Sequence, residues 1–400
     1  MLGVVLLLLR KNADPGIRVW LLNHQPDQAI IVNPFNGQLE QEFQVADGLR
    51  ELQFSRDYKH AYIASVVDVS NRIKEIDTTS YLQEDNIDVD GIPQGIGVFP
   101  DDKKLAVILG SKTDFMAGGF DVIDLTQRST SDPHRRRRIY RERELALTHK
   151  IAISDDGDRI YVIDAKKPLI NVFSLKQKKR IGAVDLHGSP EEFLYPRTGD
   201  YYYVSVLQHL AVYQLSKQTD QITAAYVPLA EGPQDPHWEH EKIRFLAVDK
   251  DAKYLFSSAL RSQTVYVWQV GNPDHKIDWN QLAGQDKDAL FVQNTSYQLA
   301  KDQYLPMTSF VLKGGYNPND KYTPGPERMA VDSLNQNFFV VDEDGALYVY
   351  NFDDVIHAQP KSVLEPFHIV HSMEGEMRDL KVSRPVVRRK VASRAGAEAQ

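Results

Sequence analysis

One phrase recurs about seven times along this chain: a short apolar strand, a turn built on Asp or Gly, and a β-branched, Tyr-rich strand. The clearest copies are GIGVFPDDKKLAVIL from Gly95, KIAISDDGDRIYVID from Lys150, IRFLAVDKDAKYLFSSA from Ile243 and RMAVDSLNQNFFVVDE from Arg328. Looser copies are LRELQFSRDYKHAYIAS from Leu49 and EEFLYPRTGDYYYVSV from Glu191. Self-similarity at roughly 40–50 residues per copy marks a propeller or a repeat array. Each copy needs its neighbours to bury its faces, so the 400 residues point to one closed domain rather than two or three.

With strands lettered A to D from a central channel outward, the phrase is A, turn, B. Strand C follows as IIV from Ile30, GFDVIDL from Gly119, LINVFSL from Leu169, HLAVYQL from His209, TVYVWQV from Thr264 and ALYVYNF from Ala346, with RIKEID from Arg72 the weakest copy. Shorter D strands precede the next A, as in EFQV from Glu42, NIDVD from Asn86 and FHIV from Phe367. Alternating apolar runs separated by turn residues make these strands, and no long stretch has helical periodicity. Two surplus A strands remain, VVLLLL near the start and MRDLKVS from Met377. Pairing MRDLKVS with RVWLLN from Arg18 ties both ends and removes a sheet edge. The expected fold is all-β: a seven-bladed β-propeller of four-stranded antiparallel blades, closed by its N- and C-terminal strands. It spans residues 17–384, with insertions at 126–142 and 271–327 and a basic tail over 385–400.

VDGIPQGIGVFPDDKKLAVIL with GFDVIDL, and LHGSPEEFLYPRTGDYYYVSV with HLAVYQL, resemble the YVTN propeller repeats also found in lactonase-like propellers. The resemblance implies the propeller fold and, through the lactonases, sugar-lactone hydrolysis at the channel mouth. None of that family's catalytic positions maps onto a residue here.

The formal net charge of −8 argues against a general nucleic-acid binder. The chain has no cysteine, which excludes disulfides, thiolate metal sites and a Cys nucleophile, and suits an oxidising compartment. The apolar run Val4 to Leu9 is too short to span a bilayer, which takes roughly 20 residues. Three readings stay open for residues 1–16: the remainder of a signal or anchor that starts upstream of Met1, a first β-strand, or a short anchor complete in itself.

Function on a propeller tends to sit in long loops on the rigid disc. Three lie on the face where D–A and B–C connections open: Gly110 to Gly119, Glu231 to Lys242 and Lys313 to Glu327. His237, Trp238, His240, Tyr316 and Tyr322 would rim the channel mouth as binding residues, offering apolar area with polar handles. His237 and His240 with Glu239 and Glu241 lack a third ligand at a definite position, so no metal is assigned. The opposite face carries two C–D insertions. One, Ser129 to Arg143, holds the run Arg135, Arg136, Arg137 and Arg138; the other, after Val270, holds Trp279. These are the expected partner-docking residues, the arginines open to an acidic partner surface, anionic lipid headgroups or phosphate. The pairs Asp101/Asp102 and Asp155/Asp156 imitate catalytic dyads, but they recur in A–B hairpins, where Asp caps the turn. No nucleophile motif or phosphate-cradling loop is present, and GGF at Gly118 and GGY at Gly314 are too short to be one.

The expectation is therefore a non-enzymatic scaffold or interaction subunit of a larger, envelope-associated assembly. It would bind protein partners and no nucleic acid, need no cofactor, and meet the membrane through its N-terminus or a neighbouring subunit. Periplasmic or cell-envelope placement is expected, with a cytoplasmic one as the alternative. Two other functions stand beside it: a lactonase-like small-molecule hydrolase, and the propeller subunit of a periplasmic redox enzyme whose cofactor sits on another chain.

Overall fold

A computed structural model describes residues 16–24, 27–44, 48–66, 71–111, 117–132, 135–146, 150–164, 167–206, 211–228, 243–259, 263–277, 300, 302–312, 325–342, 345–360, 362–370 and 377–383. Their strands form seven sheets. Blade 1 takes its inner strand from the end of the chain: Met377–Val382 pairs antiparallel with Val19–His24, followed outward by Asp27–Asn33 and Gln38–Gln44. Blade 2 runs Leu49–Phe54, His60–Val66, Asn71–Asp77, Gln83–Asp88, and blade 3 runs Ile92–Val98, Lys104–Gly110, Ala117–Arg128, Arg136–Ala146. Blade 4 is Ile151–Ile153, Arg159–Ile163, Leu169–Ser174, Lys179–Asp185, and blade 5 is Pro190–Leu194, Tyr201–Val206, Ala211–Ser216, Ile222–Tyr226. Blade 6 is Ile243–Val248, Tyr254–Ala259, Thr264–Gln269, Thr308–Val311, and blade 7 is Pro326–Val331, Asn337–Asp342, Leu347–Asn351, His368–Val370. The seven-bladed propeller and its closure by the C-terminal strand are as the repeat pattern requires.

The core explains why the strands are apolar runs rather than strict alternations. Each blade is covered on both faces, so successive residues serve different interfaces. Val19 and Leu21 pack with Phe339 and Val341 of blade 7, whereas Trp20 and Leu22 pack with Leu52 and Phe54 of blade 2. Among the described residues seven hydrophobic clusters result, each built from two adjacent blades. No blade among them has a private core, which is why the disc must close.

The C–D links of blades 6 and 7 do something the repeat does not show. Asp302–Tyr304, from the blade 6 link, adds in parallel to the outer strand of blade 5, with Ala224 opposite Asp302 and Tyr226 opposite Tyr304. Ser362–Val363, from the blade 7 link, adds in parallel to the outer strand of blade 6. The blade 7 link also holds one helical turn, Phe352–Ile356, capped by the Asn351 side chain on the Asp353 N–H. The other expected insertion is absent as such. Strand C of blade 3 continues to Arg128 and strand D begins at Arg136, so only a short link separates them.

Candidate functional site

The inner strands carry a repeated irregularity. In six of the seven A–B pairings the register shifts near the start of strand A, at the end where the D–A connections arrive. A bulge of this kind re-aims the next side chain. The residues that follow it are Asp379, Glu51, Gly95, Glu192 and Arg328; in blade 6 Phe245 lies within the irregularity, between Ile243 and Leu246, and in blade 4 Lys150 holds the equivalent place before Ile151. Ordered by blade, the ring is Asp, Glu, Gly, Lys, Glu, Phe, Arg.

Five of these seven positions are charged, and they act on one another across blade boundaries. Lys150 Nζ lies 3.0 Å from Glu192 Oε1. Asp379 Oδ2 accepts the Leu52 N–H of blade 2 at 3.0 Å, and Glu51 Oε2 accepts the Ile96 N–H of blade 3 at 2.8 Å. Those two bonds are the same bond repeated: the ring carboxylate of one blade satisfies the backbone donor just past the ring position of the next. Glu51 Oε1 takes a further bond from Gln53 Nε2 at 2.8 Å. The Arg328 guanidinium lies 3.7 Å from the centroid of the Phe245 ring, which also has Arg244 against it at 5.0 Å.

Burial and charge set the protonation of this ring. Burial pushes the Glu51 carboxyl above its ordinary range, with Asp379 adding to the shift against Lys150 and Lys381. Burial alone would lower Lys150, but the carboxylates of Glu192 and then Glu51 raise it. Burial also opposes ionisation of Glu192, and the Lys150 ammonium and the Arg328 guanidinium outweigh it, holding that carboxyl below its ordinary range. Lys150 thus stays a cation and Glu192 an anion near neutrality. Glu51, the group shifted toward an acid role, has both oxygens engaged. The arrangement supplies fixed charge and stiffness rather than a proton shuttle.

At the other end of the channel the A–B turns knit together. Asp102, with φ of 55°, accepts the N–H groups of Arg56 at 2.5 Å and Asp57 at 3.1 Å from the neighbouring blade. Arg197 of blade 5 reaches across to blade 2, donating to Arg56 O at 3.1 Å with its guanidinium 4.8 Å from the Tyr58 ring centroid. Asp155 bridges Arg56 at 3.3 Å and Lys217 at 2.9 Å. Asp101 accepts the Lys103 N–H and Asp156 the Asp158 N–H inside their own turns. The paired aspartates therefore serve turns and turn-to-turn contacts.

Of the residues singled out in sequence, His237, Trp238, His240, Tyr316, Tyr322 and Trp279 lie outside the described residues. Arg135 to Arg138 do not sit in a projecting loop. Arg136–Ala146 is an outer strand whose charges alternate across both faces, and carboxylates of blades 2 and 3 meet them. Arg136 lies 2.6 Å from Asp85 and 3.6 Å from Glu75. Arg138 lies 2.8 Å from Asp90, Arg135 also pairs with Asp90, and Arg137 is 4.0 Å from Asp124. Arg141 and Arg143 each lie 3.0 Å from Asp121. Sequence reading missed these partners because Glu75 and Asp85 come from another blade, Asp90 from the link between the blades, and Asp121 and Asp124 from the strand alongside. A groove of about 400 Å³ remains beside the run, lined by Asp88, Asp121, Ser131 and Arg137 among others.

His60, Glu75 and Glu84 bring three ligand atoms within 4.8 Å of one another, the one such group among the described residues. Glu75 already receives the Tyr62 hydroxyl at 3.2 Å and has Arg136 at 3.6 Å, so a cation there would compete with a guanidinium. The ring was also missed in sequence. Its signal is a charged residue just before an apolar one in five of the seven A strands, as in Glu51-Leu52, Lys150-Ile151 and Glu192-Phe193.

No protein-family model matches the chain, and no curated protein matches it. Solved structures do. The β-propeller domain of Cps50 (Swd1) from Myceliophteria thermophila aligns with TM-score 0.55 and 11% identity, covering 83% of this chain and 96% of that one. A functionally unknown protein from Desulfotomaculum acetoxidans aligns with TM-score 0.60 and 12% identity, covering 92% and 99%. The chain is a β-propeller. At these identities the likeness carries the fold and nothing of activity.

Proposed function

We propose that this propeller is a non-enzymatic interaction scaffold, a subunit that holds protein partners around a rigid disc. The observation that carries the reading is the use of the ring carboxylates. Asp379 and Glu51 bind backbone N–H groups of the next blade, and Glu192 binds Lys150. Groups that a hydrolase would need free for proton transfer are engaged in joining blades. Edges that accept added strands, as blades 5 and 6 do, further support a docking role. The long loops holding His237, Trp238, His240, Tyr316, Tyr322 and Trp279 are part of this proposal as partner contacts. Envelope placement belongs to it too, supported by the cysteine-free sequence, as does the YVTN-type relationship, supported by the repeated phrase.

The test is the native mass of the tagged protein after gentle extraction from its source. A stoichiometric assembly well above 45.5 kDa is expected. A solitary chain that turns over a lactone would overturn the reading.

A further inference from the structure

We infer that the outer edge of blade 4 is a strand-addition site for an extended acidic peptide of a partner protein, bound in parallel beside Gly182–Asp185. The inference deepens the scaffold reading and rests on it.

The chain itself shows how such an edge is used. On blade 5 a bulge at Thr223 is followed by Ala224, Ala225 and Tyr226, and the parallel strand Asp302–Tyr304 pairs with those three residues. On blade 4 the same bulge falls at Ile181, and Gly182, Ala183 and Val184 occupy the equivalent places, opposite Val172, Asn171 and Ile170. In blades 5 and 6 the added strand comes from the C–D link of the following blade. The link that would serve blade 4 is the tight turn between Ser216 and Ile222, too short to supply a strand. The edge residues Arg180 to Ala183 are exposed, and a Cβ placed on Gly182 would meet nothing within 4 Å. Beside the strand runs a groove of about 680 Å³, lined by Val172, Ile181, Gly182, Thr219 and Ile222 among others.

In blade 7 the outer strand His368–Val370 carries no such bulge; the three other four-stranded blades guard the same three places. They hold Gln41, Glu42 and Phe43 in blade 1, Asp85, Asn86 and Ile87 in blade 2, and Tyr140, Arg141 and Glu142 in blade 3. Charged and bulky side chains there deter pairing, as edge strands ordinarily require. Blade 4 presents Gly-Ala-Val instead, the nearest match to the Ala-Ala-Tyr that is already paired.

Charge names the partner. Lys176, Lys178, Lys179 and Arg180 crowd the start of this strand, all exposed. Unlike the arginines of blade 3, Lys178, Lys179 and Arg180 have no carboxylate partner among the described residues. In a parallel arrangement a peptide's N-terminal end lies beside them. The partner segment is therefore acidic first and small or apolar next.

The direction of the backbone groups supplies the test. The Leu186 N–H donates inward to Pro168 O at 2.7 Å, so by alternation Val184 also points inward and Ala183 outward. Ala183→Pro removes an outward donor from an edge, where proline is tolerated. The probe is a fluorescein-labelled peptide of four glutamates followed by Ala-Val-Tyr-Val, read by anisotropy with the full chain. Binding is expected to weaken at least about tenfold in Ala183→Pro, equivalent to about 1.4 kcal/mol. It should weaken similarly in the exposed triple variant Lys178→Glu, Lys179→Glu, Arg180→Glu, and fall as salt rises. Equal binding by wild type and both variants, or by a peptide with the glutamates placed last, would overturn the site. A dimer by light scattering that Ala183→Pro dissolves would instead assign the edge to a second copy of this chain. Failure of the peptide alongside an intact native assembly sinks this docking mode alone, whereas a solitary native protein sinks the scaffold reading.

Discussion

The Glu51 carboxylate of blade 2 accepts the Ile96 N–H of blade 3 at 2.8 Å, and Asp379 makes the same bond from blade 1 to Leu52 of blade 2 at 3.0 Å. A bulge at the start of both inner strands frees the geometry for this, so these neighbouring blades are tied at the channel by side chains as well as by apolar packing.

Glu51→Ala should destabilise the disc by about 1–3 kcal/mol, because the Ile96 N–H is buried and loses its acceptor. Glu51→Gln keeps an acceptor and removes a charge whose ionisation burial disfavours. Because the folded pKa of Glu51 is raised, its favourable contribution is complete below its ordinary 4.5 and is lost as pH rises through the folded value. Glu51→Gln should therefore match or exceed the wild-type melting temperature at pH 7. Thermal unfolding followed by circular dichroism separates the two variants.

The Lys150–Glu192 pair has the opposite sign. Glu192 titrates below its ordinary 4.5 in the fold, so its stabilisation is present above pH 4.5 and is lost as pH falls through the lower folded value. Lys150→Met should leave that carboxylate without its nearest cation, with the Arg328 guanidinium still acting on it, and cost less than the roughly 3–5 kcal/mol of a fully buried pair, since the lysine side chain is 25% exposed. Urea unfolding at pH 7 and pH 3.5 checks it: the gap between variant and wild type should shrink at the lower pH.

Gly119 is present for a packing reason. A Cβ there would overlap the Glu142 carbonyl oxygen on the adjoining outer strand of blade 3. Gly119→Ala should destabilise by about 1–3 kcal/mol or more through forced separation of those strands. Hydrogen exchange along Arg136–Ala146 should rise well before global unfolding.

Closure is equally open to test. Leu380 on the C-terminal strand is 3% exposed and packs with Val19, Leu21 and Phe339 across the seam between blades 1 and 7. Leu380→Ala should cost about 2–5 kcal/mol, in line with a core leucine, whereas a frayed terminal strand would cost little. Chemical denaturation gives the number directly.

The fold was legible because every blade repeats one local pattern, and the closing strand because MRDLKVS was the surplus piece that fits beside RVWLLN. Turn aspartates such as Asp102 and Asp156 were legible for the same reason: they recur at one place in the phrase. The setting of Arg135–Arg138 was not legible because its partners Asp85 and Glu75 lie in the neighbouring blade and Asp90 in the link from it, where sequence distance hides electrostatic proximity. The ring was hidden because Asp379, Glu51, Lys150 and Glu192 differ in type while sharing a position. Added strands on blades 5 and 6 were hidden because segments of three and two residues inside the links carry no periodicity.

Deuterium exchange of the free chain against the assembly purified from its native source tests the scaffold account most directly. The account predicts slowed exchange along the blade 4 edge, Lys179–Asp185, with the inner strands around Glu51 and Glu192 unchanged. Identical exchange in both preparations, or protection confined to the inner strands at the channel, would contradict it.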